Sequence, residues 1–377
     1  NSVKDFVIGD VPSGWVAGDL DGVKVAFGTK LPFDVYSGAF QDCTNISSGE
    51  LYIPPTISTM GVNAFKGCIN LPGFYFDVDS NLETIEDGAF ENCSSISSFK
   101  FPDSLKYIGE NSFRNCFSSK EIEMDEVLSI GDYAFYNCYG IKGPLSLPEK
   151  LTTLGESAFE NCSGFNGGLY LGDQITIIEP RTFKNANSFS YDLIIPDNIF
   201  GIGEEAFYQC SGFNGELTLS QNLSGISDYT FYSCNSLTGS LILPNSVEKV
   251  GRSAFQNCSG LNGFFSGGSG LTHIGDDAFE SCNRLSSLLR LPGSILEIGS
   301  GSFKSCSSLQ GPVLIPSGIE SIGEHALSGC VSIQDIYINS PPTIFQGDDA
   351  FADVSGCLYV TPFYYNDYKV LVQDGLF

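Results

Sequence analysis

The segment Leu241-Ile-Leu-Pro-Asn-Ser-Val-Glu-Lys-Val-Gly-Arg-Ser-Ala-Phe-Gln-Asn-Cys258 sets out a pattern that recurs along this 377-residue chain. Its last part is a small residue, an aromatic anchor and a cysteine three places later. From Phe135 onward, successive anchors are 24 residues apart. A fixed period of this length is typical of stacked coils and argues against separate globular domains. The anchors are Phe40, Phe65, Phe90, Phe113, Phe135, Phe159, Phe183, Phe207, Phe231, Phe255, Phe279, Phe303, Leu327 and Phe351.

One repeat can be interpreted position by position. Leu217-Thr-Leu219 alternates apolar and polar residues, which predicts a short strand with both leucines inward. Leu223 and Ile226 follow at three-residue spacing and form a second inward edge. Phe231 and Cys234 then fall on one face of a predicted short helical or 3-10 turn.

Glycine recurs four residues before the anchor, and an acidic residue often follows it directly, as in Gly109-Glu110 and Gly131-Asp132. We expect these glycines to need either a positive φ or a close approach between coils. We expect the carboxylates to face the N-terminal end of the helical turn. Each would contribute a few tenths of a kcal/mol to about 1 kcal/mol there.

Twelve of the thirteen cysteines hold the position three residues after the anchor. Ala186 and Val354 occupy it in the other two repeats, so the position favours a small buried apolar group. Neighbouring coils lie roughly 4.8 Å apart, which a disulfide also tolerates. We interpret the column as buried thiols, with Cys357 at the closing apolar position of the last repeat. A zinc site is disfavoured, because the chain has no CxxC pair and its histidines are His273 and His325.

Composition excludes several classes of partner. The chain has 18 basic and 44 acidic residues, a net charge of −26. It should repel nucleic acid and anionic membrane surfaces. No apolar run approaches the roughly 20 residues that span a bilayer. Because the chain begins at Asn1 and not at methionine, we expect a trimmed chain whose secretion leader has been removed.

The pattern L-x-L-P-x-x-V-x-x-I-G-x-x-A-F-x-x-C, which residues 241–258 match except at Val250, resembles the BspA-like class of leucine-rich repeats. The tail 357–369 is similar to the C-terminal end of such arrays in bacteria of the Bacteroides kind. The resemblance implies an α/β solenoid, mostly β. In it, a right-handed leucine-rich-repeat superhelix of about 14 coils of 22–25 residues would have short parallel strands on one face and short helical or 3-10 turns opposite. It also implies an extracellular or cell-surface protein that binds host proteins or neighbouring cells.

The repeat also predicts three parts of the chain. Residues 1–33 would form an N-terminal cap, with a strand at Val23-Lys-Val-Ala-Phe27. Residues 34–357 would form the BspA-like array, and residues 358–377 a C-terminal cap. Caps are expected because the open ends of a solenoid need covering.

Catalytic and metal motifs are missing from the sequence. It contains no G-x-S-x-G elbow and no phosphate-binding glycine loop, and no carboxylate pair stands out from its column. We therefore expect no enzyme, no cofactor and no metal. Asp19-Leu-Asp-Gly22 and Gly347-Asp-Asp349 resemble parts of a calcium loop but lack the remaining ligands, so we interpret both as turns.

Asn-Cys-Ser occurs at Asn92, Asn161 and Asn257 and matches the glycosylation sequon. Asparagine also recurs at this position without the sequon, as at Asn115 and Asn137. We therefore interpret the column as a structural one whose side chains hydrogen-bond within the coil.

One column does not repeat and is our candidate binding face. The middle residue of each first strand should point outward, and this column is richer in aromatic and aliphatic residues than a solvating face requires. The high β-propensity of tyrosine and isoleucine explains the same residues equally well. The candidates are Tyr52, Tyr75, Tyr170, Ile194, Ile242, Arg290, Leu314, Tyr337 and Tyr359.

From these features we predict a secreted or surface-anchored bacterial protein that binds a protein ligand of the host extracellular matrix or of another cell surface. A carbohydrate-binding module is the first alternative, because exposed aromatic rings also stack on sugars. A structural spacer without a ligand is the second. A glycan array tested beside a panel of matrix proteins separates the three.

Overall fold

The computed structural model describes residues 5–7, 24–26, 35–44, 50–347 and 349–373. The chain divides into two compact units, Asn1–Ile175 with Arg181–Phe189 and Thr176–Pro180 with Ser190–Phe377. Within each unit the described strands pair in parallel, mostly with the equivalent strand of a neighbouring coil. The predicted parallel solenoid of leucine-rich-repeat type is confirmed.

The described residues of the first unit contain thirteen short strands. Five of them form one sheet in the order β12-β10-β8-β6-β4, and the others pair as β1-β2, β3-β5, β7-β9 and β11-β13. The strands are β1 (Asp5–Val7), β2 (Lys24–Ala26), β3 (Leu51–Ile53), β4 (Thr59–Met60), β5 (Phe74–Phe76), β6 (Thr84–Ile85), β7 (Phe99–Lys100), β8 (Tyr107–Ile108), β9 (Ile122–Glu123), β10 (Ser129–Ile130), β11 (Leu145–Ser146), β12 (Thr153–Leu154) and β13 (Leu169–Tyr170).

The second unit repeats this plan, and its last described element is a helix. Its sheets are β14-β16, β15-β17, β18-β20-β22-β23-β25, β19-β21 and β24-β26-β27. The elements are β14 (Ile177–Ile178), β15 (Leu193–Ile194), β16 (Gly201–Ile202), β17 (Leu217–Thr218), β18 (Gly225–Ile226), β19 (Leu241–Ile242), β20 (Lys249–Val250), β21 (Phe265–Ser266), β22 (His273–Ile274), β23 (Glu297–Ile298), β24 (Gly311–Ile315), β25 (Ser321–Ile322), β26 (Ile333–Ile338), a 3-10 helix (Pro342–Ile344), β27 (Cys357–Val360) and α1 (Tyr365–Gln373).

A typical coil carries two strands and therefore has two strand-bearing faces, where the sequence predicted one. Leu217 and Leu219 are buried around the exposed Thr218, as the alternation predicted. The second strand ends at Ile226, which is buried and lies in register with Val250 of the next coil. Two-residue strands at this edge have too little alternation to be recognised from sequence.

The anchor phenylalanines form stacks inside each unit. Phe159 and Phe183 lie 6.0 Å apart between ring centroids with an interplanar angle of 7°. Phe231 and Phe255 lie 5.1 Å apart at 15°. Phe351, the last anchor, is half-buried. Successive coils thus share a continuous apolar interior, and each coil is stabilised mainly by its neighbours.

The anchor segments differ from the predicted helical turns. Asn63 and Gly67, two residues on either side of Phe65, have φ angles of 56° and 78°. The N–H of Asn63 donates to the carbonyl of Asp87 at 2.9 Å, and that of Phe65 to the carbonyl of Ala89 at 2.7 Å. A right-handed helix would turn these groups inward along its own axis. Here residues with a positive φ angle direct alternate N–H groups to the next coil.

The glycine column is explained by close approach and not by positive φ. A Cβ at Gly131 would lie 2.7 Å from the backbone nitrogen of Glu110, and one at Gly155 would lie 2.4 Å from that of Asp132. Positive φ falls instead on neighbouring positions such as Tyr133. Of the two reasons expected for these glycines, positive φ and close approach between coils, close approach is the one that applies.

The acidic column bonds to the next coil and not to its own turn. Asp87 accepts the N–H of Glu110 at 2.8 Å through Oδ1, and Asp132 accepts the N–H of Glu156 at the same distance. Our expectation that these carboxylates face the start of their own helical turn is wrong, since no helix forms there. Part of the acidity of the chain therefore holds adjacent coils in register.

Twelve of the thirteen cysteine thiols are buried, and Cys357 is exposed. Cys258 Sγ donates to the carbonyl of Phe231 at 3.1 Å, and Cys282 Sγ donates to that of Phe255 at 3.1 Å. Burial raises the pKa of the Cys234 and Cys282 thiols to about 12, so both stay protonated donors at neutral pH. Cys357 opens β27 at the surface, which corrects its assignment to an inward closing position.

These burial differences predict the reactivity of the thiols. A thiol-specific reagent at pH 8 is expected to modify one cysteine of the native protein rapidly, Cys357, because thiolate and access are both needed for attack. In the denatured protein, all thirteen cysteine thiols should react. Counting modified thiols by absorbance or mass checks this, and rapid modification of two or more native thiols would contradict it.

The asparagines beside the cysteines form a ladder between coils. In the first unit, Asn115 Nδ2 donates to Asn92 Oδ1, Asn137 to Asn115, Asn161 to Asn137 and Asn185 to Asn161, each at 2.8 Å. The side chains therefore bond from coil to coil. Our expectation that they bond within one coil is wrong. The nitrogen that a glycan would modify in Asn161 is engaged in this ladder.

Only parts of the two predicted caps lie within the residues that the structure describes. β2 lies within the predicted strand 23–27 and pairs with β1. At the other end α1 follows the last strand, and the buried Tyr368 donates from its hydroxyl to the carbonyl of Ser340 at 3.2 Å. The boundaries at residues 33 and 357 remain predictions.

Candidate functional site

The outward middle residues of the first strand in each coil form what we call the strand-lined face. Their neighbours along the chain are buried or half-buried, as Leu51 and Ile53 are around Tyr52, so alternation turns the middle residue outward. Tyr75 and Tyr170 are exposed in the first unit, whereas Tyr52 is half-buried. The structure thus places these three residues on one side of their coils, and their role in binding remains a prediction.

The tyrosines at the start of the first unit interact with each other. The rings of Tyr52 and Tyr75 lie 5.1 Å apart at 36°. The Tyr52 hydroxyl donates to the Asp77 carboxylate, and this hydrogen bond raises the pKa of Tyr52 to about 12. The polar end of Tyr52 is therefore already partnered within the protein.

Charged residues follow on the next coils of the first unit. Lys100 Nζ lies 3.2 Å from Glu121 Oε2 and 3.3 Å from Glu123 Oε1. The hydrogen bond to Glu121 is the main cause of a raised pKa of Lys100. The charge of Lys100 is therefore already paired within the protein, and Tyr170 stands apart from the two earlier tyrosines.

The strand-lined face of the second unit is more apolar. Its middle residues include Ile194, Ile242 and Leu314, which are 53%, 55% and 67% exposed. Tyr337 and Tyr359 stand in register beside Leu314 on the β24-β26-β27 sheet.

The two tyrosines of that sheet form a stacked pair. The rings of Tyr337 and Tyr359 lie 4.7 Å apart at an interplanar angle of 10°. Both residues are about half exposed, so the pair presents aromatic surface to solvent. Asp335 is the main cause of a raised pKa of Tyr359.

Arg290 is the charged member of this face in the second unit. It is exposed, and an isolated parallel bridge joins it to Ser266. Within the described part of the chain, no carboxylate oxygen lies within 4.0 Å of its guanidinium.

The two predicted turns with a calcium-like sequence have different outcomes. Asp19-Leu-Asp-Gly22 lies outside the described residues. Asp349 lies near Glu324 and His325, and one ligand atom from each falls within 4.8 Å of the others. Sequence reasoning could not group these residues, because a whole coil separates them. Glu324 and Asp349 are exposed and His325 is half-buried, and we assign no metal to them.

Sequence reasoning missed a groove beside the second strands of the first unit. The groove has a volume of about 510 Å³, and Thr84, Tyr107, Asp87, Glu110 and Asp132 contribute to its lining. Tyr107 is the exposed residue of the second strand of its coil. The equivalent residue in other coils is often threonine or serine. An aromatic residue two places before the glycine was the available signal.

A second exposed aromatic pair follows the cysteine column. Phe117 and Tyr139 lie 5.3 Å apart with nearly parallel rings, and both are partly exposed. Their position directly after a cysteine could have identified them, since most repeats carry a small polar residue there.

Parallel coils that repeat the same backbone while varying one outward side chain define a leucine-rich-repeat scaffold, a class that presents extended binding surfaces. The chain belongs to the BspA type leucine rich repeat family. That repeat region matches in 6 copies, at residues 34–166, 176–309 and 226–357. No curated protein matches the chain significantly.

Solved bacterial structures share the fold. A leucine-rich repeat protein from Bacteroides ovatus is 21% identical with a TM-score of 0.55, and the match covers 94% of this chain and 90% of that one. The pneumococcal vaccine antigen PcpA is 21% identical with a TM-score of 0.52, covering 98% and 89%. At this identity the likeness shows the fold alone.

The helix content bears on membrane insertion. The α-helix α1 has 9 residues. None of the helices in the described residues has both the length and the apolar character that a bilayer crossing requires.

Proposed function

We propose that this protein is displayed on a bacterial surface or secreted and that its strand-lined face captures a protein ligand. The ligand would belong to the host extracellular matrix or to another cell surface. The observation that carries the proposal is the series of exposed tyrosine and aliphatic side chains on parallel strands, including Tyr170, Ile242, Leu314 and Tyr337.

The physical argument is preorganisation. The strands that carry Tyr170, Ile242 and Tyr337 are each hydrogen-bonded to a neighbouring coil, so binding orders little backbone. Tyrosine supplies a large contact area at low conformational cost. Exposed aromatic and aliphatic side chains of this kind commonly serve an interaction.

Display or secretion is part of the proposal because the resemblance to BspA-like repeats implies it. The buried thiols are compatible with an oxidising compartment, since twelve of them lie inside the coils. A carbohydrate ligand is the second candidate, and the stacked exposed rings of Tyr337 and Tyr359 favour it. A spacer without a ligand would bind neither class.

The proposal predicts that a triple variant, Tyr170→Ser with Ile242→Ser and Tyr337→Ser, captures its protein ligand at least about tenfold more weakly. All three side chains are exposed, so the melting temperature should stay close to that of the wild type. Both proteins would be tested against immobilised extracellular-matrix proteins and a glycan array. Undiminished capture by the variant, or binding to glycans alone, would contradict the assignment.

A further inference from the structure

We infer that ligand capture depends on the strand-lined face of the second unit, from Ile242 to Tyr359, and that this face recognises a protein segment carrying a carboxylate beside apolar side chains. The inference rests on the proposed function and narrows it. It assigns Arg290 as the residue that meets the carboxylate, with Leu314 and the Tyr337-Tyr359 pair as the apolar contacts.

The first step is the contrast between the two units. In the first unit the strand-lined face satisfies its own polar groups, because Tyr52 donates to Asp77 and Lys100 lies between two glutamates. Charges that already have partners add little to binding, since a ligand must displace those partners. Tyr75 and Tyr170 are the exposed aromatic residues that remain on it.

The second step is the composition of the face in the second unit. The middle residues are Ile194, Thr218, Ile242, Ser266, Arg290, Leu314, Tyr337 and Tyr359. None is acidic, although the chain carries 44 acidic residues against 18 basic ones. The column itself carries no carboxylate, and Asp335 on the strand of Tyr337 is the acidic residue that acts on Tyr359. An acidic partner is therefore least repelled around Arg290.

The third step concerns Arg290. A parallel bridge joins Arg290 to Ser266 of the preceding coil. Leu314 holds the equivalent position on the following coil. Its guanidinium has no carboxylate within 4.0 Å in the described residues. Arginine presents a planar fork of donors that fits a carboxylate bidentately, and apolar surroundings strengthen such a pair.

The fourth step concerns the partner's shape. Successive rungs lie roughly 4.8 Å apart, so the distance from Arg290 to the tyrosine pair is about 10–15 Å. An extended segment of four or five residues spans that distance. The complementary segment therefore places an aspartate or glutamate a few residues from leucine, phenylalanine or tyrosine.

The test uses the full chain and an array of immobilised random peptides of twelve residues. We expect the bound peptides to be enriched in aspartate or glutamate next to apolar residues. Arg290→Gln should weaken binding to those acidic peptides about tenfold or more and leave neutral peptides unaffected. Arg252→Gln is the matched control, because Arg252 is also exposed but belongs to the column after the corner glycine.

Two outcomes on the array would overturn the inference. Enrichment of lysine or arginine in the bound peptides is one, and an acidic preference that survives Arg290→Gln is the other. An array on which no peptide binds above background would also count against it.

A second pair of variants separates this inference from the proposed function. Leu314→Ser with Tyr337→Ser should abolish capture of the matrix protein found in the panel, and Phe117→Ser with Tyr139→Ser, an exposed aromatic pair outside the strand-lined face, should not. If Tyr75→Ser with Tyr170→Ser abolishes capture and the second-unit pair does not, the strand-lined face still binds but the second unit is not its contact. If neither pair reduces capture, the proposed function itself fails.

Discussion

Phe231→Ala is expected to lower the free energy of unfolding by on the order of 3–5 kcal/mol. The ring of Phe231 is fully buried and stacks between Phe207 and Phe255 at centroid distances of 5.5 and 5.1 Å. Its removal leaves a cavity that a solenoid cannot close easily, because the backbone hydrogen bonds between coils fix their separation. Denaturant unfolding followed by circular dichroism measures the change.

Phe200→Ala provides the matched control. Phe200 is 52% exposed, so the same substitution should change stability by well under half of the effect at Phe231. Hydrogen exchange adds a test of locality, since each coil contacts its neighbours. Protection should fall first around Phe207, Phe231 and Phe255. Equal loosening of distant coils in the same unit would refute the nearest-neighbour description.

Gly251→Ala is expected to destabilise the second unit by about 1–3 kcal/mol, through a different mechanism. A Cβ there would lie 2.6 Å from the backbone nitrogen of Asp228 and 2.7 Å from the carbonyl carbon of Ser227. Both are backbone atoms, which cannot rotate away as a side chain can. The coils must separate locally and stretch the bond between Gly251 N–H and the carbonyl of Ile226, now 2.8 Å.

Gly293→Ala is the control for the glycine column. A Cβ at Gly293 would meet nothing within 4 Å, so alanine should be neutral or slightly stabilising through the unfolded state. Thermal melts of the two single variants give the comparison. Equal losses at Gly251 and Gly293 would show that close approach is not what the corner glycines accommodate.

Much of the coil could be predicted from residue types alone. Leu217, Leu219, Leu223, Phe231 and Cys234 are all buried, as the alternation and spacing indicated. Burial follows from hydrophobic periodicity, which is local in sequence, and the repeat then carries the same assignment along the chain. The outward direction of the candidate binding column follows from the same alternation.

Other features depend on which coil lies next to which. The anchor turns were expected to be helical, because Phe231 and Cys234 have helical spacing. Positive φ angles at Tyr229 and Ser233 instead direct N–H groups toward the next coil. Likewise, the partner of Asp228 is the N–H of Arg252, 24 residues away.

The candidate binding face shows the same division. Its residues could be identified from sequence, but their environments could not. Tyr52 bonds Asp77 and Lys100 meets Glu121, while Arg290 has no carboxylate partner in the described residues. These differences distinguish the two units and motivate the inference about Arg290.

The amino-acid sequence by itself determined the repeat, the inward columns and the family, because each depends on hydrophobic spacing within one coil. The tertiary structure alone decided the turn geometry, the hydrogen-bond ladders and which of the exposed charges have partners. Those features depend on atoms that meet across neighbouring coils about 24 residues apart, where backbone separation and side-chain direction act together.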